Sequence, residues 1–120
     1  MQVVVWLCQG QTERISPAAV SAIEDSNVVI SPMVLLELEY LYEIGRILKS
    51  PLAILNQLQT QIGLEIADQG FSPVIHTALF ETWTRDPFDR VIVAHARTDH
   101  QAPLITSDTK IRENYPSSVW

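Results

Sequence analysis

Five times along this chain of 120 residues a helix-capping side chain stands directly before a proline: Ser16-Pro17, Ser31-Pro32, Ser50-Pro51, Ser72-Pro73 and Asp86-Pro87. A serine or aspartate at the N-cap accepts a hydrogen bond from a free N–H of the first turn, and proline at N1 has no N–H to leave unpaired. Each pair therefore predicts the start of a helix. Short β-branched or apolar runs lie between these starts: Val28-Val29-Ile30, the weaker Leu64-Glu65-Ile66-Ala67, and Leu104-Ile105-Thr106. These predict strands, and Asp108 is placed to cap a last short helix through Tyr115. After Ser31, the residues Val34, Leu35, Leu38, Leu41 and Tyr42 recur at helical spacing. Ile54, Leu55, Leu58 and Ile62 do the same after Ser50. Strands alternating with helices predict an α/β fold, a parallel β-sheet flanked by helices. In such sheets ligands bind beyond the carboxyl ends of the strands, which is where Asp108 falls.

Length and composition bound the rest. A chain of this size makes one domain, here residues 1–120, with a sizeable core. Hydrophobic residues make up 47% of it, which sets disorder aside. The net charge of −6 argues against a broad grip on nucleic acid, so any such contact is expected to be local and bridged by metal. The same acidity suits a basic partner segment. Cys8 is the only cysteine, which excludes an internal disulfide and a cysteine-based zinc site and fits a reducing cytoplasm. No apolar run is long enough for a membrane span and no signal peptide is evident, so a soluble, cytoplasmic protein is expected.

The chemistry is concentrated in acids. Asp86 and Asp89 stand three apart at a helix start, with side chains roughly 5–6 Å apart on one face. Thr106-Ser107-Asp108 closes the last apolar run, and Glu37 sits in an amphipathic segment between Leu36 and Leu38. Each acid also has a plain structural role. Asp86 and Asp108 serve as N-caps, Asp89 suits the positive end of the helix dipole, and Glu37 suits a solvated helix position. Their co-occurrence at helix starts and strand ends carries the functional argument. Several crowded carboxylates cannot all ionise cheaply without a cation, and Mg²⁺ takes oxygen ligands of this kind. An acidic cluster assembled from separate segments is how a Mg²⁺-dependent phosphodiesterase is built. Thr106 and Ser107 are candidate supports that orient a carboxylate or donate to a phosphate oxygen, or hydroxyls that close the turn. Arg85 and Arg90 flank the acids, where they could meet phosphate or pair with carboxylates. His76, His95 and His100 show no ligand spacing, and Trp6, Trp83 and Trp120 suit packing.

Taken as a set, these segments resemble the PIN-domain family, in particular the VapC-type toxin ribonucleases of bacterial toxin–antitoxin pairs. Arg85-Asp86-Pro87-Phe88-Asp89-Arg90 with Ala94-His95-Ala96 is the most specific match. Ile30-Ser31-Pro32 through Leu36-Glu37-Leu38 to Ile47, and Leu104 through Asp108, resemble the segments bearing the family's other acids. Val3 to Leu7 followed by Ile15-Ser16-Pro17 resembles its first helix and loop. The resemblance implies a PIN-like three-layer sandwich, with Glu37, Asp89 and Asp108 as metal ligands and Asp86 as a fourth contributor. It also implies Mg²⁺ or Mn²⁺, endonucleolytic cleavage of RNA, a cognate antitoxin partner and a homodimer.

The resemblance breaks at the beginning. Such proteins open with a hydrophobic strand ending in Asp-Thr, and that aspartate is a leading metal ligand. Here Met1 stands where the threonine would, and no acid precedes Glu13. The domain is therefore expected to be N-terminally incomplete. Either a central strand is missing, leaving its neighbours unpaired, or Val3-Val4-Val5 is drafted into the sheet. The alternative to a ribonuclease is an inactive PIN-like module that keeps its protein-binding surface and has lost the chemistry.

Overall fold

A computed structural model describes all of residues 1–120. Helices α1 (Gln2–Cys8), α2 (Pro17–Asp25), α3 (Pro32–Glu43), α4 (Pro51–Ile62), α5 (Phe71–Ala78), α6 (Pro87–Thr98) and α7 (Thr109–Asn114) alternate with strands β1 (Val29–Ile30), β2 (Glu65–Ile66), β3 (Leu104–Ile105) and β4 (Ser118–Val119). The α/β architecture, short parallel strands flanked by helices, is the expected one. None of the helices is long and apolar enough to cross a membrane.

The capping logic holds at four of the five pairs. Ser16, Ser31 and Ser50 accept from the N–H groups of Ala19, Met33 and Ala53, at 3.2, 3.1 and 3.3 Å. Asp86 accepts from Phe88 at 2.9 Å and from Asp89 at 3.3 Å. Each such cap stabilises its helix by about 1 kcal/mol. The fifth pair is a correction: α5 begins two residues earlier, at Phe71, so Ser72 and Pro73 lie inside its first turn. Proline is tolerated there because first-turn N–H groups have no helical partner. Gly70 takes the N-cap because a Cβ at that position would stand 3.2 Å from Pro73 Cδ. At the other end of α4, Gly63 supplies the left-handed C-cap at φ 67°.

Val3-Val4-Val5 is helical, which decides against its recruitment as a strand. The reason is the spacing of the residues at the main core: Val4, Leu7 and Cys8 follow the i, i+3, i+4 pattern of a helix, whereas a strand would turn Leu7 to the face opposite Val4 and Cys8. That core joins Val4 and Cys8 with Ile30, Val34, Leu38, Ile54, Leu58, Leu64 and Ile92. Truncating a fully buried member such as Leu38 to alanine costs about 2–5 kcal/mol. In α6 the four successive residues Ile92 to His95 are all buried. No single face accounts for that. The helix is enclosed, with Ala94 against Val74 and Ala78, and Val93 against Ile111 and Tyr115.

The strands do not make one sheet. β1 pairs with β2 (Val29 with Glu65, Ile30 with Ile66), and β3 pairs with β4 (Leu104 with Ser118, Ile105 with Val119), both in parallel. β4 has no counterpart among the predicted strands, because Ser118-Val119 is too short a run to signal one. Between the two ladders lies a cavity of about 260 Å³, bordered by β1 on one side and β3 on the other. The strands are thus divided between two separate two-stranded ladders.

Candidate metal centre

Three acids converge where α3 meets the start of α6. One carboxylate oxygen from each of Glu37, Asp86 and Asp89 lies within 4.8 Å of the other two. Glu37 arrives from the second turn of α3, one turn after buried Val34 and next to buried Leu38, which anchor that part of the helix in the core. Asp86 and Asp89 come from the capped first turn of α6, where the Pro87 start fixes their spacing. Tyr40 and Phe88 stack at 6.3 Å between centroids and brace the α3–α6 junction beside the cluster.

The electrostatics follow from burial and like charge. Asp89 is half-buried and its pKa is pushed up to about 6, first by desolvation and then by the charges of Asp86 and Asp108. Desolvation likewise raises Glu37, reinforced by Asp89 and Asp86. Glu37 Oε1 is shut off from water and has no hydrogen-bond partner. A buried, unpartnered carboxylate oxygen is costly unless a cation meets it. That orphaned atom and the all-oxygen donor set both fit a hard divalent ion such as Mg²⁺ or Mn²⁺.

One cation is already nearby. The Met1 α-amino group is pushed below its ordinary pKa by burial, while Glu37, Asp89 and Asp108 hold it up. In turn it draws the pKa values of Glu37 and Asp89 down, though less than burial raises them. Reasoning from the sequence placed Met1 near this point and missed its charge.

Asp108 stands at the edge of the cluster. It is exposed and caps α7 by accepting from Ile111 N–H at 3.0 Å, yet lies close enough to raise Asp89. It is not among the three acids whose oxygens converge. Thr106 Oγ1 accepts from the Asp108 N–H at 3.1 Å, so this hydroxyl closes the strand–helix turn. Thr84 Oγ1 does the same for the Asp86 N–H at 3.2 Å. Both threonines are buried. Thr84 was overlooked, although the shared spacing of Thr84-Arg85-Asp86 and Thr106-Ser107-Asp108 is a readable signal. Ser107 makes no side-chain hydrogen bond.

Arg90 corrects its expectation. Its guanidinium donates to the carbonyls of Ala78 and Leu79 at 3.2 and 3.1 Å, closing the end of α5 rather than meeting a carboxylate. Arg85 is exposed and pairs with nothing, which leaves it free beside the acids. His95 is buried with Nδ1 2.8 Å from Ser31 Oγ, while its Nε2 has no partner and its pKa is lowered by burial. His76 is exposed.

No curated protein matches the chain. The pattern of the PIN domain family matches residues 2–115, nearly the whole length. The chain belongs to the PIN domain family.

Proposed function

From that membership, we propose that this protein is a divalent-metal-dependent endoribonuclease, the VapC-type toxin of a toxin–antitoxin pair. The observation that carries the proposal is the convergence of Glu37, Asp86 and Asp89 around the orphaned Glu37 oxygen. Glu37 and Asp89 are the principal ligands in this proposal. Asp86 is a third whose other role is to cap α6, and Asp108 approaches from the edge. Bound there, Mg²⁺ or Mn²⁺ would supply a water of lowered pKa and charge stabilisation on the scissile phosphate. The chain's own residues do the rest. Glu37 and Asp89 present anionic oxygens, Thr84 and Thr106 fix the backbone from which the aspartates project, and Arg85 is free to meet a phosphate oxygen. Metal binding should therefore weaken as pH drops through about 6, where metal-free Asp89 takes up a proton.

Several further features support the wider reading. The net charge of −6 suits a basic antitoxin segment. Exposed Leu36, Tyr40, Ile44, Leu48 and Leu52 on and beyond α3 suit an antitoxin or a homodimer contact. A buried free thiol at Cys8 suits a reducing cytoplasm. The test is cleavage of single-stranded RNA with and without Mg²⁺ or Mn²⁺, beside Glu37→Gln and Asp89→Asn. Cleavage that requires metal and is lost in both variants supports the proposal. Metal binding without cleavage, by a folded protein, would leave it untenable.

A further inference from the structure

Beside the acidic cluster stands an aromatic ring that takes no part in holding a metal. Tyr40 follows Glu37 by three residues and Leu36 by four on α3, so it is a neighbour of both, with Cβ atoms about 5–6 Å apart. Its ring meets that of Phe88 at 6.3 Å between centroids, with the two planes tilted by 35°. Phe88 is tied to the cluster in turn: its N–H donates to Asp86 Oδ1 at 2.9 Å, and Asp89 follows it in the chain. Phe88 is half-buried, whereas Tyr40 is 53% exposed and Leu36 57%. The Tyr40 ring is thus positioned by one neighbour and otherwise open to solvent. This aromatic pair sits beside the acids, and the exposed aliphatic Ile44, Leu48 and Leu52 lie further along the chain.

The charge around the cluster limits what this ring can bind. The chain carries −6, and Glu39 and Glu43, hydrogen-bonded to each other, add carboxylates along the same helix. A nucleic-acid strand approaching here meets repulsion at its phosphates, except at a bound metal and at exposed Arg85. Its bases are neutral, and an aromatic ring attracts any of them through its π-face. We infer that Tyr40 stacks on an unpaired base of the RNA strand, that of a nucleotide adjoining the scissile phosphate, with Leu36 extending the apolar contact. One nucleotide can hold its phosphate at the Glu37 end and its base over Tyr40. Bases within a duplex keep their faces against one another, so only a single strand can use the ring. This inference rests on the reading of the cluster as the place where RNA phosphate meets metal, and adds the group that grips the base.

The probe is a single-stranded RNA of about eight nucleotides, carrying 2-aminopurine at each position in turn, mixed rapidly with the whole protein and Mg²⁺. The fluorescence of this base falls when it stacks on an aromatic ring. At one position the unaltered protein should quench it before any cleavage, and Tyr40→Ala should not. Tyr40→Ala should raise KM roughly tenfold, while kcat and the Mg²⁺-dependent rise in Tm hold. Tyr40→Phe and Tyr40→Trp should match the unaltered protein. Removing the base at the quenched position should cost the unaltered protein roughly tenfold in affinity and Tyr40→Ala nothing more, as expected of a direct pair. Tyr40→Leu keeps an apolar contact with Phe88 and has no ring, so it should behave as Tyr40→Ala does and guards against a folding defect. Equal quenching and KM in the unaltered protein and Tyr40→Leu overturns the inference, as does an equal cost of the missing base in both. A changed oligomeric state in sedimentation, with RNA affinity unchanged, also overturns it and makes the ring a protein contact. Tyr40-dependent quenching without cleavage upholds the stacking site and overturns the nuclease reading alone. Metal-dependent cleavage indifferent to Tyr40 does the reverse.

Discussion

The two ends of α6 treat carboxylates in opposite ways. Near its last turn Arg97 forms an ion pair with Glu81, which is 3% exposed. Glu81 also accepts from Trp83 Nε1, and Arg97 donates to the Asn114 carbonyl at 3.0 Å and lies 5.0 Å over the Tyr115 ring. Both charges of that pair are partnered. At the first turn, Glu37, Asp86 and Asp89 crowd together with one buried oxygen unpartnered and two raised pKa values. The protein can enclose a carboxylate and neutralise it with its own residues, and does so about three turns away. Leaving the first-turn acids in mutual repulsion is a departure from that practice, and it marks a place able to coordinate a divalent cation.

The largest expected effect attacks the satisfied end. Arg97→Ala leaves Glu81 buried without its cation and should cost about 3 kcal/mol in urea denaturation. A loss below about 1 kcal/mol would mean that Trp83 alone serves Glu81, and the contrast between the two ends would collapse.

Next comes the ligand-dependent end. With Mg²⁺ or Mn²⁺ at about 100 times its Kd, the protein should gain about 2.7 kcal/mol, seen as a rise in Tm. Glu37→Gln and Asp89→Asn should abolish that gain, and Arg97→Ala should retain it. Equal metal stabilisation in all variants would move the metal away from this cluster.

A smaller effect lies in pH. Asp89 has a folded pKa of about 6 against an ordinary 3.8. The folded state therefore binds more protons than the unfolded one between these values, and stability falls as pH rises through that window. The associated stabilisation is fully present below about pH 4 and gone above about pH 6. Asp89 is half-exposed, so the change is about 1 kcal/mol after solvent screening. Asp89→Asn should flatten this slope in metal-free denaturation curves, and a slope that persists would assign it to another group.

The smallest change separates capping from ligation. Asn caps as well as Asp, so Asp86→Asn should alter stability by under about 0.5 kcal/mol while weakening divalent binding in calorimetry. A larger destabilisation would make Asp86 chiefly structural.

Much of this contrast was legible in the residues, unevenly. Ser31-Pro32 and Asp86-Pro87 announced the two helix starts that carry the acids, because capping is settled within three residues. Glu37, Asp86 and Asp89 were named in advance and meet. Asp108 was named with equal weight and stands at the edge, since its distance depends on how β3 and α7 pack, not on Thr106-Ser107-Asp108 itself. Arg90 sits next to an acid in the chain and turns to α5 carbonyls, because the helix carries i and i+1 to different faces. Glu81 and Arg97, 16 residues apart, gave no sign of pairing.

What the sequence determined by itself was local: the helix starts, the apolar stripes of α3 and α4, the α/β alternation and the list of acids. These depend on hydrogen bonds and periodicities spanning a few residues, and they are written in that span. Only the tertiary structure decided which acids converge, that the Met1 amine joins them, and that β4 exists. It alone separated the strands into two ladders with an apolar slot between them. Those outcomes depend on contacts between residues as distant as Ser31 and His95. Such contacts form when cores close around them, and no short stretch of sequence contains both partners.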